Sequence, residues 1–127
     1  MIKTGVLGED IASKFLKKKG FTIVSRNYRK FFGEIDIIAK KGSRIYFFEV
    51  KAVSRDLSGL KSGLSHETYR AEDNLHPWKI KKLVKTINYY LLENKIKEGE
   101  WQLDAITVLL DKINKKAKVE RIENIVL

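Results

Sequence analysis

Apolar positions near the start of the chain recur with a helical period and then shift to a period of two, which separates a helix from the strands after it. Val6, Leu7, Ile11, Ala12, Phe15 and Leu16 share a face at helical spacing, and this predicts a helix over 5–19. Lys17, Lys18 and Lys19 complement the negative end of its dipole, and Gly20 suits the left-handed position after it. Residues 21–30 alternate and are rich in β-branched and aromatic types, so they read as a strand. Two further strands are predicted at 33–40 and 44–53, joined by a tight turn at Gly42-Ser43. Residues 54–76 are polar and irregular, and a loop of that length in a small domain is as a rule functional or mobile. His76-Pro77 opens a second helix with proline at its first position. Ile80, Leu83, Val84, Ile87 and Leu91 form its buried stripe, and Gly99 marks its expected end. Residues 101–110 read as a buried strand and 117–126 as a last strand, although Val119, Ile122 and Ile125 also fit a period of three. The order αβββαβ(β) predicts an α/β fold with a central mixed sheet flanked by helices.

Composition adds bounds to this picture. At 127 residues and 43% apolar, the chain is expected to form a single domain, 1–127, with one core. No repeat or linker divides it. No apolar run approaches the roughly 18 residues of a membrane span, and the N-terminus lacks the apolar stretch of a signal peptide. The expectation is a soluble, cytoplasmic protein with no membrane partner. The absence of cysteine excludes disulfides, thiol chemistry and zinc fingers. A net charge of +10 points to a polyanionic partner, with nucleic acid the first choice. The plain alternative is a lysine-rich surface that serves solubility alone.

The sign pattern is more telling than the total. Twelve Lys/Arg residues lie between Ile11 and Arg55, and the only carboxylates there are Glu34, Asp36 and Glu49. Alternate residues of a strand share a face, so Glu34 and Asp36 fall on one face of the second strand, and Glu49 and Lys51 on one face of the third. Both strands are apolar on both faces, as central strands are, and charges inside them are costly unless paired or metal-bound. A two-residue turn at 42–43 pairs Lys41 with Arg44 and sets Asp36 opposite Glu49. A turn at 41–42 instead makes them diagonal. Either register leaves the carboxylates about 5–8 Å apart on one face. Such a pair repels itself unless a cation or a shared proton lies between its members. Glu9 shares the inward stripe of the first helix with Ala12 and Leu16 and is positioned to join them. An all-oxygen set fits Mg²⁺ or Mn²⁺. The chemistry that uses it is phosphodiester hydrolysis, with Asp36 and Glu49 as metal ligands and Lys51 positioning water or stabilising developing charge. The competing reading is a buried ion-pair network without chemistry.

These residues resemble a known pattern. Asp36 followed by Glu49-Val50-Lys51 on the next strand resembles the PD-(D/E)xK nuclease signature. Gly8-Glu9 with Ala12, Gly20-Phe21, Arg26-Asn27-Tyr28-Arg29, Gly33-Glu34-Ile35-Asp36-Ile37-Ile38-Ala39 and Phe48-Glu49-Val50-Lys51 together are similar to the start of the YraN-like proteins, a bacterial family of predicted endonucleases. Lys82, Leu103-Asp104-Ala105-Ile106 and Ile122-Glu123-Asn124-Ile125 extend the similarity over nearly the whole chain. The resemblance implies a restriction-endonuclease-like fold related to archaeal Holliday junction resolvases, and a metal-dependent endonuclease acting on DNA, branched or structured DNA included. It implies Asp36 and Glu49 as metal ligands, the Val50 carbonyl and Glu9 as further ones, and Lys51 as the catalytic lysine. A homodimer is a further implication, since the resolvase-like relatives cut two strands. Two departures touch the rim of the site: Ala52-Val53 stands where relatives commonly have Thr-Arg, and the 54–76 loop is longer than in most.

Arg26, Arg29, Lys30, Arg55, Arg70, Lys79, Lys82 and Lys85 are the expected nucleic-acid contacts, an electrostatic track beside the site. Tyr28, Phe31, Phe32, Tyr69 and Trp78 interleave with them as candidate stacking platforms. His66 and His76 lack the spacing of a metal pair. Glu34 is expected at the rim. Asp104 is a further embedded acid, whose plain reading is a pair with a lysine such as Lys82. A non-catalytic nucleic-acid-binding module on the same fold, or an assembly protein with a purely structural charge cluster, remains the alternative function.

Overall fold

The computed structural model describes residues 4–54 and 77–125. The 54–76 loop, from residue 55 onward, and with it Arg55, His66, Tyr69, Arg70 and His76, lies outside the described residues. The elements are α1 (Thr4–Lys18), β1 (Thr22–Lys30), β2 (Gly33–Lys41), β3 (Arg44–Ser54), α2 (Pro77–Glu93), β4 (Trp101–Asp111) and β5 (Lys116–Ile122). The strands form one sheet in the order β1-β2-β3-β4-β5. Its pairs are antiparallel except for β3 with β4, which run parallel. Parallel neighbours need a crossover, and α2 supplies it. This is the mixed sheet flanked by helices expected of a restriction-endonuclease-like core.

The two helices cover opposite faces of the sheet. Phe47 and Phe48 are consecutive on β3 and both fully buried. Phe48 packs with Ala12 and Leu16 of α1, Ile37, Ile106 and Val108. Phe47 packs with Leu83, Ile87 and Tyr90 of α2, Ile38 and Leu103. Alternation along the strand thus feeds two cores, which is why β3 reads as apolar on both faces.

The helix ends separate what the sequence predicts from what the backbone does. α1 stops where expected: Gly20 has φ +95°, and Phe21 N–H donates to the Leu16 carbonyl at 3.0 Å. The second helix ends at Glu93, six residues short of Gly99. Lys95 takes the left-handed conformation (φ +53°), its N–H donates to the Leu92 carbonyl, and Ile96 N–H donates to the Leu91 carbonyl at 2.9 Å. Leu91 and Ile96 then close the end by packing on the same core. Gly99 instead serves the turn before β4, where Glu100 N–H meets the Lys97 carbonyl. The last strand spans Lys116–Ile122, so it ends four residues before the expected 126. Asn124 (φ +53°) turns the chain there, and its N–H donates to Asp104.

Gly8 sets how closely α1 approaches β3. A Cβ at Gly8 would collide with the Ala52 side chain. Gly8→Ala is expected to push α1 off the sheet and lower stability by about 1–3 kcal/mol, the helix-propensity gain notwithstanding. Chemical denaturation measures this; a stability equal to or above wild type would show that the helix is free to shift.

Candidate functional site

The site forms where the second strand parts from the third. β2 and β3 pair from Lys41↔Arg44 to Ile37↔Phe48, so Gly42-Ser43 is the two-residue turn and the same register carries Asp36 opposite Glu49. Backbone pairing stops there. The Asp36 carboxylate reaches into the gap, and its Oδ2 accepts the Val50 N–H at 2.8 Å. A side chain completes the hydrogen bond of a buried strand, which locks Asp36 in place. Glu49 is 8% exposed. Lys51 stands two residues further along β3 and is exposed. Among the described residues no carboxylate lies within ion-pair distance of it.

α1 brings Glu9 to the same region, where Arg26 of β1 reaches it at 3.7 Å. The Asp36 carboxyl titrates far above its ordinary range, pushed up to about 8, first by burial and next by the charge of Glu49. Glu9 and Glu34 push in the same direction, and only the Val50 N–H opposes them. Four carboxylates therefore converge electrostatically on the Asp36 position.

Arg26 and Arg29 meet the outer acids, Glu9 and Glu34, and one further cation meets the inner pair. Lys79, in the first turn of α2, places Nζ 2.7 Å from Glu49 Oε2. Burial works against its charge, yet the hydrogen bond and charge of Glu49, helped by Asp36 and Glu34, hold its pKa above the usual lysine value. The sequence signal for this role is α2's first turn, which contains no acid although the dipole favours one there. A cationic helix start asks for an anion from elsewhere, and Glu49 is that anion.

Among the described residues no group of three or more His, Cys, Asp or Glu side chains is gathered tightly enough to hold a metal ion. What the fold brings together is the pair Asp36–Glu49. A carboxylate pair still fits Mg²⁺ or Mn²⁺, because such ions are commonly held by one or two carboxylates, with waters and substrate phosphates completing the shell.

The other expected contacts are distributed around this pair. Arg26 pairs with Asp10 at 2.9 Å, and Arg29 with Glu34 at 3.4 Å. Lys30 lies over the rings of Tyr28 and Tyr89, Lys82 over Trp78, and Lys85 over Phe32. Asp104 has a structural role and a different partner from the expected Lys82. It is fully buried and accepts Arg121 Nε at 2.9 Å, Gln102 Nε2 at 2.9 Å and Asn124 N–H at 2.9 Å. The Arg121 guanidinium lies over Phe21, Tyr46 and Phe48 on the α1 side, whereas Lys82 belongs to α2 on the other side of the sheet.

Comparison with known proteins places this geometry in a lineage. The model of an uncharacterised protein family, UPF0102, matches residues 8–108. A UPF0102 protein of Campylobacter jejuni is 43% identical over 109 residues, covering 86% of this chain and 86% of that protein. A UPF0102 protein of Campylobacter hominis is 38% identical over 125 residues, covering 98% of this chain and 95% of that protein. The names of these relatives state the family and no activity.

Proposed function

The chain belongs to the uncharacterised family UPF0102, and for it we propose a metal-dependent endonuclease that hydrolyses phosphodiesters, with DNA as the substrate. The observation that supports this most is the Asp36–Glu49 pair, half-buried and buried, opposed across two parting strands, with Lys51 two residues further along the strand. Asp36 and Glu49 would hold the ion, with the Val50 carbonyl and Glu9 adjoining. A bound Mg²⁺ or Mn²⁺ supplies a Lewis acid that polarises a phosphoryl oxygen and acidifies water. Lys51, exposed beside the pair, orients the attacking water and offsets negative charge as it develops on the phosphoryl oxygens. The water oxygen bonds to phosphorus, the bond to the leaving oxygen breaks, and a proton ends on that oxygen. Lys79, Arg29 and Lys82 border the groove next to Glu49 and attract the flanking phosphates.

The test is cleavage of end-labelled linear, flapped and four-way DNA in Mn²⁺ by the wild type and by Asp36→Ala and Lys51→Ala. Wild-type cuts that both variants lose support the reading; no cuts in any substrate, or equal cuts by the variants, would remove it.

A second reading has one specific observation in its favour. Lys79 already neutralises Glu49, as it would in a nucleic-acid-binding module with no metal and no chemistry. Lys79→Met separates the two. It leaves Glu49 without its counterion and is expected to lower metal-free stability by about 1–3 kcal/mol, toward the low end because Lys79 is half-exposed. If the pair holds a metal, Mn²⁺ restores that loss and raises the melting temperature of the variant more than that of the wild type. A Mn²⁺ response absent from both proteins would favour the binding module.

A further inference from the structure

We propose that the groove between the β1–β2 turn and the start of α2 seats an unpaired, unstacked nucleotide beside the Asp36–Glu49 pair, so that the substrate class is single-stranded or frayed nucleic acid. The groove has a volume of about 470 Å³ and runs up to Glu49. That volume lies within the usual range of ligand clefts, about 300–1,000 Å³. Three features identify its occupant.

The first is the turn itself. Lys30 pairs with Gly33, so Phe31 and Phe32 form the tip of a hairpin, where glycine, asparagine or aspartate is the common choice. Phe31 is 100% exposed, and packing explains little of it, since among the described residues the one ring contact it makes is with Phe32, edge-on at 5.0 Å. Across the groove, Trp78 is 61% exposed. Two large aromatic rings therefore face solvent at the two rims of one cleft.

The second feature is charge. Arg29, Lys30, Lys79 and Lys82 line the same groove. Lys82 lies 4.9 Å from the Trp78 ring centre, and Lys85 5.2 Å from that of Phe32. Aromatic faces interleaved with cations suit a base and its phosphate together. A base can meet such a platform only when it has left the helical stack, and an intact duplex keeps its bases inside.

The third feature is rigidity. A Cβ at Gly33 would collide with Thr86 Oγ1 and come within 2.8 Å of the Lys82 carbonyl oxygen. The turn is thus pressed on the α2 backbone, and the platform is set before any ligand arrives.

The inference rests on the nuclease reading only in treating the phosphate beside Glu49 as the one to be cut. Its test therefore uses binding without divalent metal. Fluorescein-labelled oligothymidine, oligouridine and a blunt duplex of equal length are titrated in EDTA and followed by anisotropy. Both single strands are expected to bind at least about ten-fold tighter than the duplex. Phe31→Ala combined with Trp78→Ala is expected to weaken single-strand binding by about ten- to a hundred-fold, the loss of one or two stacking contacts. Duplex affinity should change little. Phe31→Trp keeps a ring at the tip and should keep the affinity. Because both side chains are exposed, these variants retain the wild-type melting temperature. The chain has two tryptophans, so in a Trp101→Phe background Trp78 is the sole emitter, and its fluorescence should be quenched as single strand binds. Equal affinity for duplex and single strand, or undiminished single-strand binding by the double variant, would overturn the proposal. Single-strand preference without cleavage leaves this inference standing and sinks the nuclease reading; cleavage without the preference does the reverse.

Discussion

Asp36→Asn is expected to abolish Mn²⁺-dependent cleavage and, in the same protein, to raise the stability of the metal-free fold as the pH climbs. The two effects have one cause. Asp36 is half-buried opposite Glu49, and its pKa is pushed up to about 8 from an ordinary 3.8, first by desolvation and next by the charge of Glu49. Between those values the folded chain keeps a proton that the unfolded chain has released. Folding then takes up a proton, and wild-type stability falls as pH rises from about 4 to about 8 and levels off above. Asparagine has nearly the same shape and can still accept the Val50 N–H, but it has no charge to desolvate. The variant should therefore gain on the wild type steadily across that window. Denaturation between pH 5 and pH 9 measures the gain; parallel curves for the two proteins would show that Asp36 is not under this strain. A carboxyl whose ionisation costs its own fold stability, and which a cation would relieve by displacing the proton, is expected of a site rather than of a purely structural position. The loss of cleavage should exceed about a thousand-fold, beyond that for removal of a single hydrogen-bond donor to developing charge.

Asp104→Ala is expected to have the largest effect on the fold itself. Asp104 is 0% exposed and joins β4 to Arg121, Gln102 and the Asn124 backbone. Its removal leaves a guanidinium that is 20% exposed, boxed in by Phe21, Tyr46 and Phe48, without its buried partner. Breaking such a pair costs about 3–5 kcal/mol, a large part of the stability of a small domain. The melting temperature should fall by roughly 10 °C or more. Cleavage per folded molecule should be unchanged, because Asp104 faces away from the Asp36–Glu49 pair. A stable variant that has lost cleavage would move Asp104 into the site.

These two acids show what could be read from the chain and what could not. Both stood out as charges inside apolar strands. For Asp36 the sequence also held the partner, because a short turn at either 42–43 or 41–42 brings it to Glu49 on one face, and the Lys41↔Arg44 pairing selects the first. Antiparallel register is local, and a short turn fixes it. For Asp104 the partner is seventeen residues away on a strand whose pattern was ambiguous, and the nearest sequence-level guess, Lys82, lies across the sheet. Lys79 shows the same limit. Its place in a helix was legible from Pro77, but that its ammonium meets Glu49 depends on how α2 crosses back over the sheet, and no local pattern encodes that. The end of α2 failed for a smaller reason. Lys95 adopts a left-handed conformation that glycine usually takes, so the helix ends before the first glycine, Gly99. Phe31 and Phe32 were visible as aromatics, while their place at an exposed hairpin tip emerged only from the Lys30↔Gly33 pairing.

Calorimetric titration of Mn²⁺ into the wild type and Asp36→Asn at pH 7, in two buffers of different ionisation enthalpy, tests whether Asp36 and Glu49 form a divalent-metal site. Saturable binding to the wild type is expected, with proton release as the ion displaces the proton held at Asp36, and no binding to the variant. Mn²⁺ binding of equal strength to both proteins, or to neither, would contradict it.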